Sequence, residues 1–327
     1  MGQKVVIAYT GLGDNAVERP ILEDAGIEIV NVDGLDSPTA LDAVRDADAL
    51  MVTLNLVRAD LIEQFDRCRI ICRVGTGVDA IDIDAATARG IWVTNVADYA
   101  VDEVSTHALT LTLALLRNLP GHTSVVARGN WAYQTQPPIQ RLTTQTLGIL
   151  GFGRIGSAMG RKSRGAGFRV IAHDPYIDQA RIQEAGVEPV DYDTLLRNSD
   201  ILSLHVPLTS ETRRLIDADA LARMKPSAYL VNTARGEVVD VNALLAAVQA
   251  GRLAGAGIDV LPVEPPNPGD PVLHEPRIIV TPHMAWASAQ SAVEVRQRGA
   301  EDVVRVLRGE PPRYPVNNIE DVLAALV

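Results

Sequence analysis

An α/β fold built from two doubly wound parallel sheets is what three features of this 327-residue chain predict. Short apolar runs alternate with helix-period segments in two successive series, which implies parallel strands covered on both faces. A Gly-x-Gly-x-x-Gly pattern lies where the second series passes from its first strand to its first helix. The length also exceeds what one ordinary domain uses, so two are expected.

The first series reads as strands at Val5 to Ala8, Ile27 to Val30, Ala49 to Thr53, Ile70 to Arg73 and Trp92 to Thr94, with helical stretches between them. From Val101 to about Val126 the pattern becomes one long, mostly apolar helix, placed to join two domains. A polar arm follows from Arg128 through Trp131 and Pro137-Pro138 to Thr144, and suits a surface excursion or a subunit contact. The second series gives six runs: Thr146 to Leu150, Arg169 to Ala172, Ile201 to His205, Ala228 to Asn232, Ala254 to Ile258 and Ile278 to Thr281. Prolines at 262, 265, 266, 268 and 271 mark a loop before the last of them. A helix from about Ser288 to Leu307 leads into the Pro311-Pro312 turn and a short tail. Because the first series stops early, that helix and tail are expected to return to the first domain and make it discontinuous.

Composition narrows the function classes. Hydrophobic residues make up 47% and charged residues 22%, as in ordinary globular chains. With 30 basic and 41 acidic residues the net charge is -11, which disfavours nonspecific binding to nucleic acid or an anionic membrane. An anionic ligand therefore needs a local cluster of cations. Cys68 and Cys72 are the only cysteines, without a second pair for a metal site or disulfide framework; no metal is expected, and buried thiols in a reducing compartment fit them. The N-terminus lacks a signal-peptide pattern, and no apolar run approaches the ~20 residues that cross a bilayer. A cytoplasmic protein is expected.

The glycine pattern is Gly151-Phe152-Gly153-Arg154-Ile155-Gly156. Alone it is a weak signal, but a strand ends just before it and a helix, read from Ser157 to Arg164, follows. In that context Gly151 permits the tight turn, Gly153 lets the backbone approach a pyrophosphate, and Gly156 allows close helix–strand packing. Asp174 ends the next strand, where a carboxylate binds the adenosine ribose hydroxyls and repels a 2'-phosphate, so NAD is expected over NADP. Its alternative reading is a turn residue before Pro175. Arg154 reads equally as a pyrophosphate contact or a solvated side chain.

Arg235, Glu264 and His283 each follow a strand of the second sheet, and ligands in such folds sit beyond the carboxyl ends of the strands. An arginine can hold a carboxylate bidentately, an imidazole can exchange a proton with a carbonyl or hydroxyl oxygen, and a carboxylate can orient that imidazole. Taken singly, each has a structural reading: a helix-entry salt bridge at Arg235, a loop charge among prolines at Glu264, a satisfied histidine in Thr-Pro-His. Together with the cofactor loop they point to hydride transfer on a 2-hydroxy or 2-oxo acid.

The run Arg73-Val74-Gly75-Thr76-Gly77-Val78-Asp79-Ala80-Ile81-Asp82, the Gly151 to Gly156 pattern, Asn232-Thr233-Ala234-Arg235-Gly236, Asp259 through Glu264-Pro265 and Thr281-Pro282-His283 together resemble the D-isomer-specific 2-hydroxyacid dehydrogenases. The resemblance spans nearly the whole chain. It implies a Rossmann NAD-binding domain at 101–289 and a flavodoxin-like substrate domain at 1–100 plus 290–327. It also implies a homodimer formed through the nucleotide domain, with Arg235 as carboxylate anchor, His283 as acid/base and Glu264 as its partner. Cofactor contacts are implied at His205, Val206, Pro207, Thr209, Thr233, Ala234, Arg235, Asp259 and His283, with Asp259 reaching the nicotinamide amide. The first-domain loop would offer backbone N–H groups of Val74, Gly75 and Thr76 to the substrate carboxylate. Arg73 and Trp286 match substrate-pocket positions of the branch that contains the C-terminal-binding-protein co-repressors, and Trp286 reads equally as a domain-edge packing residue. Ala287 departs from that branch, where tyrosine is common, so its substrate preference does not transfer. Domain closure would exclude water. The other reading is an NAD-sensing interaction protein with little turnover, against which the intact trio and the absence of an appended disordered tail argue. Phosphoglycerate, glyoxylate, hydroxypyruvate, bulkier oxo acids and phosphite all stay open as substrates.

Overall fold

In a computed structural model the structure describes residues 2–9, 14–132 and 138–319. Residues 133–137 of the polar arm and residues 320–327 of the tail lie outside the described residues. The chain forms two compact units, one of residues 1–100 with 288–327 and one of residues 101–287.

The first unit holds β1 (Lys4–Ala8), β2 (Glu28–Asn31), β3 (Ala49–Val52), β4 (Ile70–Arg73) and β5 (Trp92–Asn95), all parallel, in the order β2-β1-β3-β4-β5. This order places a switch point between β1 and β3, as in flavodoxin-like sheets. Val5, Val6, Ala49, Met51, Ile70 and Ile71 are essentially fully buried, because strands covered on both faces carry continuous apolar runs and not alternating ones. The helix Ala289–Leu307 packs on this sheet. Gly299 permits the approach: a Cβ there would sit 3.2 Å from Cys72 Sγ and 3.4 Å from Met51 Cε. Its N-terminus is closed by a capping box between Ser288 and Ser291. Arg69 and Gln3 donate to the Leu307 carbonyl at 3.0 and 2.8 Å, satisfying an orphan acceptor at the C-terminal end. Beyond it the Val316 N–H donates to Val93 O at 2.8 Å, which fastens the following segment to β5.

In the second unit seven parallel strands lie in the order β12-β11-β10-β9-β6-β7-β8. These are β6 (Thr146–Leu150), β7 (Arg169–His173), β8 (Glu188–Pro189), β9 (Ile201–Leu204), β10 (Tyr229–Asn232), β11 (Gly255–Ile258) and β12 (Ile278–Val280). Six strands were expected; β8 is the seventh, a two-residue edge strand whose Pro189 is tolerated because an edge needs no donor on its open side. The long apolar helix is in fact two, Val101–Leu116 and Leu119–Ala127. Asn118 takes a left-handed conformation (φ 46°) and Pro120 stands in the first turn of the second helix, where its missing N–H costs no hydrogen bond. Leu147, Ile149, Leu202, Leu204, Leu230 and Val231 are fully buried, each contributing about 1.5–3 kcal/mol over exposure. No helix among the described residues is long and apolar enough to cross a membrane.

Candidate active site

The expected trio belongs to the second unit, at the carboxyl ends of adjacent strands. Arg235 follows β10, Glu264 follows β11 and His283 follows β12. His283 Nδ1 donates to Glu264 Oε2 at 2.6 Å, and both side chains are about one quarter exposed. The other oxygen of Glu264 accepts the Leu261 N–H at 2.8 Å, so the carboxylate is held from two sides. Half-burial pushes its carboxyl up. The hydrogen bonds from His283 and Leu261, with the charges of His283 and Arg235, outweigh that and hold it below the ordinary carboxylate range.

Arg235 stands on a turn ordered by Asn232, whose Nδ2 donates to Arg235 O at 2.9 Å and whose Oδ1 accepts the Ala234 N–H at 3.0 Å. Its guanidinium donates to Ala234 O at 2.7 Å. The next residue, Gly236, lies against the backbone of Leu261 and Pro262, so the arginine turn and the glutamate loop are packed as one piece.

His283 has φ 51°, a left-handed conformation that costs a non-glycine residue roughly 1–2 kcal/mol. Asp259 opposes that cost. Its backbone carbonyl accepts the His283 N–H at 2.8 Å, Oδ1 accepts the Met284 N–H at 3.0 Å and the Thr281 hydroxyl at 2.5 Å, and Oδ2 accepts the Ala285 N–H at 2.8 Å. Asp259 is 2% exposed, so these bonds act in a low-dielectric interior. Trp286 Nε1 donates to His283 O at 3.0 Å and closes the turn. Sequence reading found Asp259 and Trp286 but not this bracing, nor His107, whose Nε2 lies 3.0 Å from Thr281 Oγ1.

The glycine loop joins β6 to the helix Arg154–Gly165, which begins three residues earlier than its periodicity suggested. Gly151 (φ 89°) needs glycine, and a Cβ there would meet His205 O at 2.7 Å. A Cβ on Gly156 would lie 2.0 Å from Gly151 O, whereas one on Gly153 would meet nothing within 4 Å. Gly153 and Arg154 are exposed, Ile155 is partly buried, and no side chain caps this helix N-terminus. Phe152, expected among the loop contacts, turns its ring into the core and gives its N–H to Asp174 Oδ2 at 2.7 Å. Asp174 Oδ1 also accepts the Tyr176 N–H at 2.9 Å, the turn bond its alternative reading expects, so the carboxylate is held from both sides. The exposed Tyr176, whose hydroxyl donates to Glu211, was not anticipated.

After β9, His205 Nε2 lies 2.9 Å from Ser203 Oγ, and burial pushes this imidazole down to about 4. Val206 is partly buried and leads into an exposed loop ordered by two threonines. Thr212 Oγ1 donates to Pro207 O at 2.6 Å and accepts the Thr209 N–H at 2.8 Å. Thr233 is buried, and its Oγ1 has no partner among the described residues.

In the first unit, Arg73 ends β4 and its guanidinium folds over Gly75 (φ 150°), donating to Val74 O at 2.5 Å. Two backbone donors expected here are committed elsewhere. The Val74 N–H donates to Val52 O at 2.8 Å as the last rung of the β3–β4 ladder, next to the pair Val52–Arg73, and the Gly75 N–H turns back on Arg73 O at 2.9 Å. Thr76 follows them, its carbonyl accepting from Asn95 Nδ2 at 2.5 Å.

Comparison with known proteins decides the family. Residues 109–285 match the NAD binding domain of the D-isomer specific 2-hydroxyacid dehydrogenases. The chain belongs to this family. It is 36% identical over 309 residues to a D-3-phosphoglycerate dehydrogenase of Archaeoglobus fulgidus, covering 92% of this chain and 58% of that protein. It therefore spans little more than half the length of that relative. A glyoxylate reductase of Korarchaeum cryptofilum is 38% identical over 281 residues, with 85% of each chain covered. Among solved structures, D-lactate dehydrogenase from Aquifex aeolicus complexed with NAD and lactic acid superposes with a TM-score of 0.86 at 28% identity, over 94% of this chain and 96% of that one.

Proposed function

We propose that the protein is an NAD-dependent oxidoreductase that interconverts a 2-oxo acid and a D-2-hydroxy acid. The observation that carries this reading is the 2.6 Å hydrogen bond between His283 and Glu264 on the strand-end rim that also bears Arg235. The dinucleotide fits the second unit: an open approach at Gly153, an uncapped helix N-terminus, a fixed Asp174 carboxylate and an unpartnered buried hydroxyl at Thr233 all suit it. Asp174 favours NAD over NADP by repelling a 2'-phosphate. When bound, the nicotinamide supplies hydride to the carbonyl carbon or takes it from the hydroxy acid.

Arg235 holds the substrate carboxylate and fixes the reacting carbon. With Nδ1 donating to Glu264, the working nitrogen of His283 is Nε2, which gives its proton to the ketone oxygen in reduction and recovers it in oxidation. Glu264 fixes the ring tautomer and balances the imidazolium that exists before the proton leaves. From the first unit we assign substrate binding to Arg73 and to the loop after it. There Thr76 is the donor we assign, since the N–H groups of Val74 and Gly75 bond to Val52 O and Arg73 O. Trp286 and Ala234 complete the assignment on the second unit, with His205, Val206, Pro207 and Thr209 beside the cofactor.

A homodimer is part of the same reading. The helix Leu119–Ala127 has no buried residue, and Leu119, Val126 and Trp131 are 56%, 48% and 92% exposed, an apolar surface of the kind that a second copy covers. Cys68 and Cys72 are free thiols pushed up to about 12 by burial, which suits a reducing, cytoplasmic setting.

The test is initial-rate consumption of NADH and of NADPH against glyoxylate, hydroxypyruvate, pyruvate, phenylpyruvate, 2-oxoisocaproate and oxaloacetate, with Arg235→Ala as control. Activity that prefers NADH and collapses in the control is expected. NADH binding without turnover on any acid would replace this reading with that of a dinucleotide-sensing protein.

A further inference from the structure

His107 lies on the helix Val101–Leu116, far in sequence from the reacting groups, and no step of the chemistry uses it. Its side chain is 16% exposed, and its Nε2 lies 3.0 Å from Thr281 Oγ1 and 3.6 Å from Asp259 Oδ1. The direction of these bonds follows from what each atom can do. An ionised carboxylate only accepts, so at 2.5 Å the Thr281 hydroxyl must donate to Asp259. Its oxygen is then left as an acceptor toward His107, and His107 Nε2 must carry the hydrogen. A chain of donors therefore runs from His107 to Thr281 to Asp259. It ends where Asp259 takes the N–H groups of His283, Met284 and Ala285.

We propose that His107 is a positioning residue for His283, acting through Thr281 and Asp259 to hold the acid/base histidine in its left-handed conformation. The inference rests on the assignment of His283 as the acid/base, and adds a residue outside the trio. Without a donor at position 107 the Thr281 oxygen keeps an unmet acceptor in a half-buried place, and the hydroxyl is free to turn from Asp259. Asp259 then loses its short bond, and the turn that fixes His283 against Glu264 loosens. A displacement near 1 Å at a reacting group is enough to cost about a hundredfold in rate.

The experiment compares the unaltered protein with His107→Leu and His107→Gln, since the glutamine amide restores an N–H donor at nearly the same reach. Expected for His107→Leu is a ten- to hundredfold fall in kcat, with the Kd for NADH changed less than threefold and faster hydrogen exchange at the Met284 and Ala285 amides. His107→Gln should recover most of the rate and slow that exchange again. Wild-type kcat and wild-type exchange in His107→Leu would overturn the proposal. So would a fall that accompanies lost NADH binding and general unfolding and that glutamine does not repair. If the unaltered protein turns over no acid, the proposed function fails; unchanged Met284 and Ala285 exchange in His107→Leu would separately remove the positioning role.

Discussion

Gly236 and Leu261 touch so closely that a Cβ on the glycine would fall 2.0 Å from the leucine carbonyl carbon. Backbone cannot swing aside as a flexible side chain can, so this contact ties the turn carrying Arg235 to the loop carrying Glu264. Gly236→Ala should force the two loops apart. We expect a loss of about 1–3 kcal/mol in stability, as for other overpacked sites, and a fall of at least a hundredfold in kcat/KM at temperatures where the variant stays folded. Thermal melts beside initial rates check it; an active, unshifted variant would show that the loops are not coupled.

The Glu264 carboxyl gives the fold a pH dependence. Its carboxyl lies below the ordinary value, so the folded state releases this proton more readily than the unfolded chain does. The associated stability is present above the ordinary glutamate value of 4.5 and is lost as pH falls through the lower folded value. Glu264→Gln removes the anion that balances the His283 imidazolium. The reduction profile should narrow from its alkaline side, with kcat lowered roughly 10- to 100-fold. Rates from pH 5 to pH 9 decide; an unchanged profile would take Glu264 out of the acid/base role.

The strands were legible because a two-face-covered strand writes itself as an uninterrupted apolar run, and Ile70–Arg73 and Thr146–Leu150 end where the sequence said they would. The break at Asn118 was masked by apolar residues on both sides, although Pro120 was the signal that could have revealed it. Strand β8 is too short to show a period. The three strand-end residues could be placed on one rim by fold logic, but nothing in spacing announces His107 beneath Thr281, 174 residues away. The committed Val74 N–H was equally invisible, since the length of a ladder is set by its partner strand.

Two glycines of the cofactor loop should separate stability from binding. A methyl on Gly153 would meet no protein atom within 4 Å, so Gly153→Ala should leave the melting temperature nearly unchanged while weakening NADH at least tenfold, by filling the approach to the phosphates. Gly156→Ala, whose methyl would strike Gly151 O at 2.0 Å, should lower both. Fluorescence titration with NADH and thermal melts give the comparison, and equal effects at both positions would argue against a phosphate approach over Gly153.

His205 sets a second pH window, this one in stability. Burial lowers its imidazole from 6.5 to about 4, so between those values the unfolded chain binds the extra proton and the folded protein does not. Stability is therefore full above about pH 6.5 and declines as pH falls toward 4, by up to roughly 3 kcal/mol from this residue if the shift is complete. His205→Gln keeps a polar partner for Ser203 but cannot titrate. Urea unfolding at pH 7 and at pH 5 should show a smaller difference in the variant than in the unaltered protein. An equal difference in both would mean that groups other than His205 carry the lability between these two values, and that His205 is solvated enough to protonate without strain.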